Sequence, residues 1–179
     1  MMLQIDHRES HDVDIFLFDP QLLPFLDPQK HDFIFEIQPS DYKGDGARFQ
    51  KFSFENIGEI DFIVGGSLTS TPTIPMTIEG EAVQLETIPE VITKKVYHRG
   101  SSIKPRDIFD IAAAGEKQAN SIIDELKSYK NEVTRTLAVM EKLNPDFVSR
   151  AIAELAIKPQ YDALAKMAME RAREILLAV

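Results

Sequence analysis

Apolar positions fall into two regimes along the chain. Up to about residue 90 they occur as strand-length blocks or alternate with polar residues, and beyond Pro89 they recur at helical spacing. IFLF (15–18) reads as a buried strand, followed by the turn-forming Asp19-Pro20 and a short helical piece, QLLPFL (21–26). FIFEI (33–37) has the composition of a strand, and PSDYKGDGA (39–47) that of a loop. RFQKFSFE (48–55) sets Phe49, Lys51 and Ser53 on one side and Gln50, Phe52 and Phe54 on the other. Asn56 and Gly58 then turn the chain into EIDFIVG (59–65), which predicts a hairpin, and VQLETI (83–88) closes the strand-rich part.

The helical part opens with EVITKKVYHR (90–99) and breaks at Gly-Ser-Ser. Pro105 stands where a first helical turn accepts it, ahead of RDIFDIAAA, in which Ile108, Ile111 and Ala112 share a face. Further helices are expected over 116–128, 130–142 and 145–156. From Pro159 to the end, Tyr161, Leu164, Ala165, Ala168, Ala172, Ile175 and Leu176 form one stripe. The pattern predicts an α+β protein: a small mixed β-sheet lobe over 1–90 and a helical domain over 91–179.

Charge sharpens this division. Residues 1–93 carry 17 acidic against 5 basic side chains, net −12, and residues 94–179 carry 12 against 15, net +3, which together give −9. Two lobes with different partners would produce that asymmetry, and so would drift in solvated surfaces. With 44% hydrophobic residues in 179, the chain is long enough for one good core or two small ones. The sequence has no cysteine, which excludes disulfides and thiolate metal sites. No apolar run approaches a membrane span, and MMLQIDHRES lacks a basic segment followed by an apolar one, so a cytoplasmic protein is expected.

The chemistry concentrates in HRESHDVDIFLFDP (7–20). Asp12 and Asp14 are two apart and run into an apolar strand, so both carboxylates leave the same face. Such a pair repels itself unless neutralised, and a hard divalent cation does this with one or two carboxylates plus waters and phosphates. Asp61, between Ile60 and Phe62, is the third candidate, because an aspartate in a buried strand is costly without a partner. The plainer alternative, that Asp12 caps a turn and Asp61 is salt-bridged or exposed, fits the same residues.

Two segments carry a resemblance. H-R-x-S-x-D-V-D-I-F, from His7 to Phe16, resembles the metal-binding motif of the AbiEii/AbiGii toxin family of nucleotidyltransferases, in the DNA polymerase beta-like superfamily. TKKVYHRGSSIKPRDIFDIAAA (93–114) resembles the second motif: a lysine, an arginine four residues on, then Arg-Asp, two apolar residues and Asp opening a helix. Those positions are Lys95, Arg99, Arg106, Asp107 and Asp110, with Asp61 between the two motifs.

The resemblance implies a nucleotidyltransferase-like lobe and an appended helical domain. Asp12, Asp14 and Asp61 would bind Mg²⁺ or Mn²⁺, and Asp61 would help deprotonate the attacking hydroxyl. Ser10 would contact the substrate, and Lys95 would meet the phosphates as a point charge. Arg99 and Arg106 would add positive charge, or pair with Asp107 and Asp110 to dock the helices; Asp110 would serve substrate binding or that docking. The implied activity moves a nucleotide from a nucleoside triphosphate to RNA, tRNA among the candidates, in a type IV toxin–antitoxin pair with a cognate antitoxin.

The family also places a Gly-Gly-Ser/Thr turn about ten residues before the aspartates, where backbone N–H groups approach phosphates. The given chain starts eleven residues before Asp12, without that turn. A catalytically impaired binding protein therefore stands as an alternative, as does a metal-dependent phosphohydrolase using the same acids on water. VGGSL (64–68) has the letters of the turn on the wrong side of the aspartates and is expected to be a loop.

Other features point elsewhere than to a site. HRESH is not HExxH, so His7 and His11 are expected to bond locally or lie exposed. Asp41 and Asp45 lack EF-hand spacing. Phe49, Phe52 and Phe54 suit a core better than base stacking, and the cations from Lys127 to Arg150 are interleaved with acids as on a solvated surface.

Overall fold

The computed structural model describes residues 1–28, 30–31 and 33–179. They form two compact units, Ser10–Ser67 and Met1–Glu9 with Leu68–Val179. The architecture is α+β: a mixed four-stranded sheet and a separate hairpin, then helices.

The Ser10–Ser67 unit is built on β1 (Val13–Leu17), β2 (Asp41–Gly44), β3 (Phe49–Phe54) and β4 (Gly58–Val64), in the order β1-β4-β3-β2. β1 runs parallel to β4, and the other two pairings are antiparallel. The alternation in RFQKFSFE sets the faces as expected. Phe52 is buried and meets the rings of Tyr42, Phe35 and Phe62 at 5.4, 5.7 and 6.0 Å. A 3₁₀ helix, Pro20–Leu26, brings Leu23 into the buried set, and the Gln50 amide donates to the Leu26 carbonyl. Asp19 caps that helix, accepting from the Gln21 N–H at 2.8 Å.

Two expectations for this unit are corrected. FIFEI forms no strand; Phe33 and Phe35 engage through their rings, and Ile34 is 98% exposed. The place beside β3 is taken instead by Asp41–Gly44, inside the segment expected to be a loop. Propensity misleads here because an edge strand is chosen by its partner, and charged residues are favoured at edges. Only the following turn behaves as a loop: Asp45 Oδ1 accepts from the backbone N–H groups of Ala47, Arg48 and Phe49.

In the other unit α1 (Met2–Ile5) is followed by a hairpin of β5 (Thr73–Ile78) and β6 (Glu81–Glu86), turning through Glu79 and Gly80 with positive φ. The strand expected at 83–88 is thus real but earlier, and its partner β5 was not anticipated. Helices α2 (Ile88–Arg99), α3 (Pro105–Leu126), α4 (Lys130–Met140), α5 (Pro145–Ala153) and α6 (Asp162–Leu177) follow. Thr87 caps α2, Asn144 caps α5, and Pro105 opens α3.

The two helices expected across 106–128 are one element with a kink at Gln118 (φ −142°, ψ 39°). α3 is the central helix: Ile108, Phe109, Ile111, Ala112, Ile122 and Leu126 are all buried in one core. The expected stripe on α6 is buried at Ala168, Ala172, Ile175 and Leu176. The first residues belong to this unit, since the Tyr161 hydroxyl donates to the Ile5 carbonyl at 3.0 Å and the Lys158 N–H to the His7 carbonyl at 3.0 Å. Among the described residues no helix is long and apolar enough to cross a membrane.

One glycine sets the entry to β1. Gly58 has φ +147°, and a Cβ there would lie 2.1 Å from the His11 carbonyl oxygen. The chain leading to Asp12 thus rests against the start of β4, where no larger residue fits. Gly58→Ala should cost about 2–4 kcal/mol in a denaturant melt, against about 1 kcal/mol for Gly46→Ala, where the left-handed φ is the sole penalty. Gly46 (φ +72°) has nothing within 4 Å of its built Cβ. Equal losses would contradict the close approach.

Candidate functional site

Residues opposite one another on adjacent strands present their side chains to one face. Asp14 lies opposite Asp61, Asp61 opposite Lys51, and Lys51 opposite Lys43. One row across the sheet therefore reads Asp14–Asp61–Lys51–Lys43, two acids and then two bases. The next row places Glu59 opposite Ser53 and Ser53 opposite Asp41. Asp12 is exposed, one residue before β1, at the rim of a shallow depression of about 510 Å³ shared with Ser53, Asn56 and Glu59.

The electrostatics of the first row are uneven. Lys51 Nζ sits 2.6 Å from Glu59 Oε2 and 3.2 Å from Asp61 Oδ2. Ser53 Oγ donates to the other Glu59 oxygen at 3.1 Å. Asp61, with its side chain 21% exposed, has a buried Oδ1 that receives no hydrogen bond among the described residues. Burial pushes the Asp61 carboxyl above its ordinary range; the Lys51 hydrogen bond and charge oppose this, and the charges of Asp14 and Glu59 reinforce it. Asp14 is exposed at the neighbouring position.

This donor set fits a hard divalent cation. It offers two carboxylates in register, one with an unsatisfied oxygen, and such an ion takes its remaining ligands from water and phosphate. Among the described residues no group of three His, Asp or Glu side chains is arranged to hold a metal. Asp14 and Asp61 stand in register, and Asp12 lies two residues before Asp14, outside β1.

The Met1–Glu9 and Leu68–Val179 unit has its own charged cluster, at the start of α3. Asp110, 2% exposed, accepts from Arg8 Nε at 2.8 Å and Arg8 Nη2 at 3.1 Å, and contacts His7 Nε2 at 2.8 Å and Lys95 Nζ at 3.0 Å. Burial pushes its carboxyl up, but the His7 hydrogen bond, the Lys95 charge and Arg8 outweigh it and hold the group well below the usual carboxylate range. Asp107 is fully buried; it pairs with Lys95 at 2.8 Å and Arg99 at 3.5 Å and accepts from the Lys104 N–H at 3.2 Å. The spacing of the second motif explains this: Lys95 and Arg99 are one turn apart on α2, as are Asp107 and Asp110 on α3.

Lys95 and Arg99 thus meet the two aspartates, whereas Arg106 forms no ion pair with either among the described residues, and its Nε is buried without a hydrogen-bond partner. Ser10 is half-buried at the beginning of the sheet unit. Gly65-Gly66-Ser67 has no regular structure, as expected. The expectation for His7 is corrected: it is buried and bonded to a residue 103 positions away, with its ring stacked 5.8 Å from Phe109. Arg8 and Lys51 are not among the expected site residues. Arg8 lay inside the first motif, and Lys51 lay on the face shared with Phe49 and Ser53.

The family model for the nucleotidyl transferase AbiEii toxin of type IV toxin–antitoxin systems matches residues 1–176. The chain belongs to the AbiEii nucleotidyl transferase toxin family. Comparisons with curated proteins and with solved structures gave no match. Membership makes the chain a member of a nucleotidyltransferase family that is typically metal-dependent, and it implies an antitoxin and a nucleoside triphosphate substrate.

The Asp110 cluster predicts an acid response. A depressed carboxyl contributes stability that is complete above its unfolded value, about 3.9, and is lost as pH falls toward the folded value. Asp110→Asn should lower stability at pH 7 by about 3–5 kcal/mol, because it strands buried cations. Denaturant midpoints between pH 6 and pH 3 should fall more steeply for the wild type than for this variant. Parallel slopes would contradict a charged Asp110.

Proposed function

We propose that the chain transfers a nucleotide from a nucleoside triphosphate to an RNA acceptor, with Asp14 and Asp61 at the centre of the chemistry. The observation that carries this reading is the in-register pair with an unsatisfied buried oxygen, in a chain of a nucleotidyltransferase family. Mg²⁺ or Mn²⁺ held there would neutralise charge developing on the phosphates. The acceptor hydroxyl forms a bond to the α-phosphorus, the α–β bridging bond breaks, and pyrophosphate leaves. The hydroxyl proton passes to Asp61, the base that the family motif implies.

The remaining residues take supporting roles. Asp12, exposed at the entry to β1, is assigned to the metal on the strength of the motif. Lys95, held between Asp107 and Asp110, is assigned to phosphate by the second motif alone. Arg99, Arg106 and Ser10 are assigned to substrate on the strength of the motifs, and tRNA is the first acceptor to test.

Incubation with each α-³²P-labelled nucleoside triphosphate, Mg²⁺ and total RNA should label RNA and release pyrophosphate. Asp14→Asn and Asp61→Asn should each lower the rate at least about a hundredfold. Free inorganic phosphate without labelled RNA would identify a phosphohydrolase instead. Nucleotide binding without turnover would identify a binding protein.

A further inference from the structure

Two carboxylates in register on adjacent strands repel one another, and a cation beside them relieves that repulsion. In this sheet the cation comes from the chain itself. Lys51 is the cross-strand neighbour of Asp61 on the side away from Asp14, and its ammonium is shared between Asp61 at 3.2 Å and Glu59 at 2.6 Å. The shorter contact goes to Glu59, whose other oxygen is fixed by Ser53 at 3.1 Å. A second acceptor is therefore in place on the same strand, two residues from Asp61. The Lys51 ammonium already bonds that acceptor, and its flexible, 30% exposed stem lets it leave Asp61 while keeping Glu59. Lys43, next in the row, is held by Asp41 at 2.8 Å and makes no ion pair with Asp61 among the described residues.

We propose that Lys51 is the resident counter-ion of the Asp14–Asp61 pair and that a divalent cation enters by displacing its ammonium from Asp61 onto Glu59. This rests on the reading that the metal binds at Asp14 and Asp61. Lys51 is then a positioning residue: it keeps the pair tolerable before the metal arrives and opposes the binding of a bare cation. A cation carried on a triphosphate brings phosphate ligands and negative charge of its own, so the barrier falls on metal without nucleotide. The shuttle between Asp61 and Glu59 makes the site selective for the metal–nucleotide complex.

The test is a titration of the full chain with Mn²⁺ alone at constant pH and ionic strength, with free Mn²⁺ read by electron paramagnetic resonance. Lys51→Met should bind Mn²⁺ about tenfold more tightly than the wild type, the change expected for removing one competing charge at this range. Lys51→Gln provides the same readout should the methionine variant fail to fold. Lys51→Arg, which keeps the charge, should bind no more tightly than the wild type. Lys43→Met should stay within about twofold, because Lys43 does not occupy the pair. Saturating Mn²⁺ should also raise the melting temperature of Lys51→Met more than that of the wild type.

Binding abolished by Asp61→Asn but unchanged or weakened by Lys51→Met would overturn the role of Lys51 and leave the metal reading standing. Equal tightening by Lys43→Met and Lys51→Met would reduce the effect to a general surface field and also overturn it. Mn²⁺ binding that ignores Asp61 in every variant would remove both the role of Lys51 and the metal reading beneath it.

Discussion

Taking a carboxylate out of water is tolerable only when its charge is met, and the chain meets that requirement in two opposite ways. Asp110 is buried among Arg8, His7 and Lys95, with donors on both of its oxygens. Asp61 shares one ammonium with Glu59, has a second carboxylate opposite it, and keeps one buried oxygen with no donor among the described residues. The first is compensated in full and acts as a tie, joining the first residues of the chain to α2 and α3. The second is left short, which fits a group that accepts something the chain does not supply.

The sheet unit follows from the same requirement. Period-two alternation gives β3 and β4 one apolar and one charged face, and the apolar face buries Phe52 among aromatic rings. Register then turns separate polar residues into the row Asp14–Asp61–Lys51–Lys43, with acids on β1 and β4 and bases on β3 and β2. A slip of one residue would send every one of these groups to the other face. Gly58 guards that register at the edge, by allowing the His11 backbone to lie where a Cβ would otherwise be.

Much of this was legible in the sequence, where local pattern decides. The alternation of RFQKFSFE, the turn at Asn56 and Gly58, the proline opening α3 and the stripe on α6 each carry their structure within a few residues. What escaped depends on partners distant in sequence. DYKG has the residues of a turn and becomes β2 because β3 offers a ladder, while FIFEI has the residues of a strand and finds none. TIPMTI, interrupted by Pro75, becomes β5 only as the partner of β6. His7 could not be placed from its neighbours, since its bond is to Asp110. The spacing of Asp12 and Asp14 is legible in the sequence, but the pairing of Asp14 with Asp61, and of Lys51 with both Asp61 and Glu59, is a property of register.

The claim on which the account turns is that the under-compensated pair, and not the saturated cluster on α3, takes the metal. Anomalous diffraction from crystals grown with Mn²⁺ and a non-hydrolysable nucleoside triphosphate tests it most directly. The account predicts a peak at bonding distance, about 2.1 Å, from carboxylate oxygens of Asp14 and Asp61, and none at Asp107 or Asp110. Bound nucleotide with its metal at Asp107 or Asp110, and no peak beside Asp61, would contradict it.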